Sequence, residues 1–406
     1  MSEVGGSTPG NERIVALDAL RGFALLGIFL ANIGFFSAWV LMNHDQQLAL
    51  APAWVVESWH GIELGLIEAK FYSLFSMLFG AGFALQLDRI DRRGGQGLAV
   101  FYRRMALLLL IGLIHMIVVW LGDILTLYAL MGFILPLFRK LSEKALLVLG
   151  ALLVFSPLLL VPLFDAQLSE WTGRTLWAGA FGWLSEQTGT PFMGPAEWIA
   201  RPDFGSYLAW HGAGPVLRLA NLLDGWRFPR VLGCMLLGMA FARMLLLNGR
   251  PLPIAALRNA ALGGFAIGMP FCLWFAVVGG GPNSVPAIIG TVPLAIGYGA
   301  ALLLWTSRPG SRLAAALAPA GRMALTLYIS QSVFGILVFT GVWGGLATKV
   351  SPSGFVPLAL AFYALQLLFA RHYLAHHAQG PLEKLWRLGT YAGRGKALSA
   401  RPAEAA

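Results

Sequence analysis

The chain has 406 residues, 57% of them hydrophobic and only 12% charged, with a formal net charge of +10. A soluble domain carries about 25% charged residues, so a soluble globular protein is excluded. The basic excess does not mark a nucleic-acid binder either. Lys and Arg gather in the short connections between apolar runs, where membrane topology puts them.

Apolar stretches long enough to cross a ~30 Å hydrocarbon core need about 20 residues. Ten are predicted, near 17–40, 64–87, 103–121, 123–138, 145–163, 227–247, 255–278, 286–306, 322–341 and 355–374. The expected fold is therefore all-α: a polytopic transmembrane helix bundle. The first run carries Asp18 and Arg21 and has no clear small-x-small cleavage site, so it reads as a retained span and not as a signal peptide. The third and fourth runs come from one 36-residue stretch, Arg103 to Phe138, about 54 Å of helix. That is too long for one crossing and predicts two short spans joined at Gly122–Asp123.

Alternate connections differ in charge. One set holds Arg89, Arg92, Arg93, Arg103 and Arg104, then Arg139, Lys140 and Lys144, then Arg243, Arg250 and Arg258, then Arg308, Arg312 and Arg322. The tail adds Arg371, Lys384, Arg387, Arg394, Lys396 and Arg401, whereas 41–62 and 279–285 have no Lys or Arg and 341–355 has only Lys349. The bias predicts both termini cytoplasmic. Four regions follow: a five-span half (1–163), an outer-face loop (164–226), a second five-span half (227–375) and a basic tail (376–406). The loop holds Trp171, Trp177, Trp183, Trp198 and Trp210, which predicts short interfacial helices, a lid or a linker. Five spans per half admit inverted repeats, yet no convincing echo between the halves is seen. "GPLEKLWRLGTY" (380–391) reads as an amphipathic helix. Cys234 and Cys272 sit in apolar runs, as buried small residues would. The spacing of His372, His376 and His377 is weak for a metal, and none is expected.

Polar groups inside the spans carry the chemistry. On the first, Asp18, Arg21, Leu25, Ile28 and Asn32 form one stripe. Asp18 and Arg21 can pair, or Arg21 can snorkel to the interface. On the second, Glu63 and Lys70 share a face and Glu68 points away. A charge at the depth of Lys70 costs ~2.5–3.5 kcal/mol to insert, so it needs a partner or water. In "GLIHMIVVWLGDILTLYALMGF" (112–133), His115 falls at the depth of Lys70, Glu68 and Asn32. Two readings stand: a helix–helix hydrogen bond, or a hydrated chamber in which His115 acts as base. Asp123 suits an N-cap for the fourth span. Arg21, Arg103, Arg104 and Arg322 gather at the cytoplasmic mouth with Gln331 deeper. They suit phosphate binding or plain topology signalling.

Six stretches occur in order: "LDALRGFALLGIFLANI", "FYSLFSMLFGAGFA", the His115 segment, "VLGCMLLGMAFAR", "GRMALTLYISQS" and "GPLEKLWRLGTY". Together they resemble the YeiB-like bacterial inner-membrane family, which carries a domain of unknown function. The resemblance implies a multi-pass inner-membrane protein. It is also distantly similar to membrane acyltransferases through Asp18, Arg21 and Gly22. Departures fall in the Trp-rich loop.

Two functions are carried forward. In the first, acyl-CoA enters as a co-substrate from the cytoplasm, and no cofactor is permanently bound. Arg21, Arg104 and Arg322 meet its phosphates, with Asp18, Glu68 and Gln331 further binding candidates. His115 serves as general base or acyl carrier, Asp123 orients it, and Asn32 or Lys70 stabilises the oxyanion. The acceptor is a small molecule, glycan or lipid. In the second, the same groups bind the cargo of a transporter. A membrane scaffold is the plainest third option. Oligomeric state is left open.

Overall fold

The computed structural model describes residues 9–92, 97–167, 173–191, 193–247, 253–308 and 310–392. Arg93, Trp171, Arg250, Arg394, Lys396 and Arg401 lie outside them. Every described element is helical, as expected of backbone that must satisfy its own hydrogen bonds in lipid.

In chain order the helices are α1 (Pro9–Phe36), α2 (His44–Leu48), α3 (Ala53–Ile62), α4 (Lys70–Asp91), α5 (Leu98–Ile114) and α6 (Leu125–Ile134). Then come α7 (Glu143–Phe155), α8 (Pro157–Gln167), α9 (Gly173–Thr188), α10 (Pro195–Ala200), α11 (Phe204–Asp224) and α12 (Arg227–Ala242). The chain continues with α13 (Ile254–Val278), α14 (Val285–Thr306), α15 (Arg312–Arg322), α16 (Ala324–Phe339), α17 (Pro352–His376) and α18 (Pro381–Tyr391).

Among the described residues, eight helical stretches are long and apolar enough to cross a membrane, or nine if α15 and α16, bent 77° from each other, form one span. The protein is a polytopic membrane helix bundle. The fourth predicted span is realised as a short apolar helix, Leu125–Phe138. Its 14 residues rise only about 21 Å.

α1, α4, α12 and α14 form the buried centre, and α13 turns Leu262, Ile267, Leu273 and Val277 outward as a lipid face should. α1 packs on α15, α16 and α17, and α12 packs on α4 and α7. Glycines permit the two tightest crossings. A Cβ on Gly22 would come under 3.0 Å from the Leu317 carbonyl, and one on Gly321 under 3.0 Å from that of Asp18. The glycine of the Asp-x-x-Arg-Gly motif therefore seats α15 against α1. The second crossing joins Gly80 of α4 to Met235, and Gly238 of α12 to Met77. These two helices run the same way: Glu68 and Arg227 pair near their first turns, while Arg243, after α12, bonds the carbonyl of Arg139, which pairs with Asp91 at the end of α4.

Two breaks shape the interior. Between α3 and α4 the chain passes through a π-helical turn, Glu63–Ile67, and Ala69 takes a left-handed φ of 65°. The break frees carbonyls. Lys70 Nζ donates to that of Leu64, and Tyr298 Oη to that of Leu66 at 3.2 Å. Between α15 and α16 the freed amides of Leu325 and Thr326 donate to Glu383 Oε1 at 2.8 and 3.1 Å. Thr326 Oγ1 donates to Glu383 Oε2 at 2.6 Å. A tail residue thus caps a core helix. Glu383→Ala is expected to cost about 1–2 kcal/mol, the upper range for a lost cap. Thermal melting in detergent checks it, and amide exchange should rise first in α18 and the first turn of α16.

Candidate functional site

Two cavities lie within the bundle. An aromatic cavity of about 260 Å³ takes Asn32 and Phe36 from α1, Glu68 and Tyr72 beside the α3–α4 break, and Trp120. α9, α10 and α11 cover it with Trp177, Trp198, Tyr207, Trp210, His211 and Arg218. An arginine-rich cavity of about 680 Å³ takes Arg21, Gln86, Arg89, Arg104, Arg322 and Trp386. Its walls include both the start of α1 and the terminal helix α18. Three residues line both cavities: Ile28, Ile124 and Tyr328. They form a partition one side chain thick.

His115 sits against that partition. α5 ends in a π-helical turn, His115–Val119, and the chain then doubles back so that Asp123 meets His115. Asp123 Oδ1 accepts the amide of Leu125 at 3.1 Å, and Oδ2 that of Thr126 at 2.7 Å. This is the capping expected of Asp123, and it fixes the carboxylate as an acceptor. The imidazole Nδ1–H therefore donates to Asp123 Oδ1, at 3.0 Å. In the neutral ring the lone pair then sits on Nε2. That atom is buried and has no hydrogen-bond partner among the described residues. The imidazole is 2% exposed, and its ring centroid lies 5.3 Å from that of Tyr328. It lines neither cavity, and Tyr328 stands beside it in the wall they share.

The other candidates sort by cavity. Asn32 and Glu68 line the aromatic one; Arg21, Arg104 and Arg322 line the arginine-rich one. Asp18 pairs with Arg21 at 2.6 Å. The Arg104 guanidinium stacks on Trp386, 4.3 Å from its ring centroid. Arg103 donates instead to the carbonyl of Ala392. Two expectations are corrected. Lys70 does not share a chamber with His115: it is fully buried, bonds Leu64 and lies over the Phe275 ring of α13. A cation suits the carbonyl end of a broken helix, and that is its partner. Gln331 lines neither cavity. It donates to Gln366 Oε1 at 2.9 Å and ties α16 to α17.

Comparison with known proteins gives the relationship. Residues 241–393 match the family described as Protein of unknown function (DUF418). The uncharacterized protein YeiB of Escherichia coli is 31% identical, covering 96% of this chain and 99% of YeiB. This chain belongs to the YeiB-like DUF418 family. The uncharacterized protein YxaH of Bacillus subtilis is 29% identical over 94% of this chain and 95% of its own. An uncharacterized 39.9 kDa protein of Bacillus acidopullulyticus is also 29% identical, over 94% of each. No solved structure matches.

For this DUF418 chain the sequence reading missed Tyr328, Arg218, Arg227 and Trp386. Tyr328 lies inside the quoted "GRMALTLYISQS", three residues before Gln331, and reads there as apolar filling. Arg218 lies on α11, inside the stretch expected to hold only short interfacial helices; α11 in fact runs 21 residues. It packs on α9 around Phe181, Leu184, Trp210 and Leu217.

The cover carries a pH-sensitive contact. His211 Nδ1 donates to the Ile117 carbonyl at 3.1 Å, and its ring lies on Tyr207 with centroids 4.4 Å apart. Burial lowers its pKa from the ordinary 6.5. The unfolded chain then binds the proton first, so this contribution to stability is whole above pH 6.5 and is lost as pH falls below it. Melting temperature should drop through that window in the wild type and less steeply in His211→Asn.

Proposed function

We propose that the protein is a bacterial inner-membrane acyltransferase. It moves an acyl group from acyl-CoA, held in the arginine-rich cavity, to a hydroxyl or amine in the aromatic cavity. The observation that carries this reading is the shared partition, with the unpartnered Nε2 of His115 beside it. Arg21, Arg89, Arg104 and Arg322 suit the CoA phosphates. The Lys and Arg bias turns that cavity to the cytoplasm.

In the reaction His115 Nε2 takes the proton of the acceptor as its oxygen or nitrogen attacks the thioester carbonyl. The new C–O or C–N bond forms, the C–S bond breaks, and the imidazolium returns its proton to the CoA thiolate. Asp123 keeps the tautomer correct throughout. For the imidazole to reach the carbonyl, Tyr328 must swing out of the wall.

The test is binding and turnover. Purified protein should bind acetyl-CoA, and Arg104→Gln with Arg322→Gln should weaken that binding at least tenfold. No CoA binding by the wild type would sink the proposal. A transporter of a small polar or lipid-like solute is the second reading. The two broken helices favour it, because discontinuous helices build many transporter sites. Solute flux in vesicles without acyl turnover would select it.

A further inference from the structure

The aromatic cavity holds more positive charge than its own acids neutralise. Arg201 pairs with Asp203 at 2.8 Å, and Arg227 with Glu68 at 3.7 Å. Arg218 is 9% exposed and has no ion pair among the described residues; its NH1 reaches only Asn221 Oδ1, at 3.1 Å. Asp123 lies near enough to act on Arg218, but its oxygens are committed to His115, Leu125 and Thr126. Arg227 also lies near enough to repel Arg218. Among the described residues, the Nε atoms of both arginines are buried and unpartnered, and so is Nε1 of Trp198 in the same wall. A buried charge without a partner is costly. Two adjacent guanidinium groups with free N–H bonds are a receptor for planar or tetrahedral oxyanions.

We propose that Arg218 and Arg227 bind an oxyacid anion, a carboxylate or a phosphate, carried by the molecule that occupies the aromatic cavity. Naming that molecule the acyl acceptor rests on the transfer reading; the anion site itself does not. The ring faces of Trp177, Tyr207 and Trp210 then hold the body of the ligand, and the arginines set which end points toward the partition.

The experiment compares ligands that share a body and differ in charge. Purified full-length protein is titrated with glucose, glucuronate and glucose 6-phosphate. At least one anionic probe should bind tenfold or more tightly than glucose. Whichever one gains identifies carboxylate or phosphate as the group recognised. Arg218→Gln should erase the preference, Arg218→Lys should keep part of it, and Arg258→Gln, at an exposed residue that lines neither cavity, should leave it intact. If Arg218→Gln does not fold, Arg227→Gln, on a side chain 17% exposed, serves instead. Equal binding of glucose and the anions overturns the proposal. So does failure of both anions to bind, or a preference that survives the Arg218 and Arg227 substitutions. Acetyl-CoA binding is measured on the same preparations. Its absence beside an intact anion preference removes the transfer reading alone.

Discussion

His115→Ala is expected to lower acyl transfer by about 10²–10⁴-fold, the usual worth of a positioned general base. The helix bundle should survive it. The side chain fills a small buried volume beside Tyr328, and Asp123 keeps both backbone amides when the imidazole is gone. Acetyl-CoA affinity should therefore stay within a factor of about two or three, because the arginines line a cavity that His115 does not. A loss of turnover without a loss of CoA binding is the signature of a group that acts on the reacting atoms. Asp123→Asn separates orientation from basicity. Turned with its N–H₂ to Nδ1, the amide gives up the Leu125 N–H and forces the proton onto Nε2, the wrong tautomer for a base. Turnover should fall nearly as far as in His115→Ala, with about 1 kcal/mol of stability lost from the weakened cap. Transfer by His115→Ala at the wild-type rate would remove the imidazole from the mechanism.

The apolar runs made the helices legible, because a lipid-facing chain has few alternatives to helix. Which polar residues would meet was legible only in part. His115 and Asp123 are eight residues apart, about 12 Å along an unbroken helix and too far for their side chains to meet; the π-helical turn and the reversal at 120–123 bring them together. Lys70 was misplaced for the converse reason. Depth along an unbroken helix put it beside His115, but α3 and α4 are not one helix. The break falls at Glu68–Ala69, where no glycine or proline announces it, and it redirects Lys70 onto the freed carbonyl of Leu64. Gln331 looked like a deep site residue because nothing in the sequence revealed Gln366 opposite it. The breaks themselves are held by residues distant in sequence, Tyr298 for one and Glu383 for the other.

The crossing of α4 and α12 gives the largest expected effect on stability. "MLFGAGFA" (77–84) and "MLLGMAFA" (235–242) agree at five of eight positions. They also do the same work: each glycine receives the backbone of the other helix at the methionine three residues earlier. Both helices follow a residue of left-handed φ, Ala69 at 65° and Trp226 at 48°, and both open on a cation and a phenylalanine, Lys70–Phe71 and Arg227–Phe228. The echo is parallel, not inverted, with one more residue between break and motif in the second copy. Small residues at such a crossing let helix backbones touch in a membrane, where close packing replaces the hydrophobic drive. Gly80→Ala or Gly238→Ala must push the helices apart, since the obstacle is backbone and not a flexible side chain. Each should cost about 1–3 kcal/mol, and Gly80→Leu should prevent recovery of folded protein. Gly263→Ala is the control: that glycine lies on the exposed face of α13 with open space around its Cβ position. It should be neutral, or stabilising by up to about 1 kcal/mol from helix propensity. The substitutions at the crossing should also disturb the aromatic cavity. α4 and α12 carry Tyr72 and Arg227 just above the contact, so parting them widens the gap that Glu68 and Arg227 close at 3.7 Å. Melting curves for the three alanine variants decide the matter, and an unchanged transition in Gly80→Ala would mean that the two backbones do not meet there.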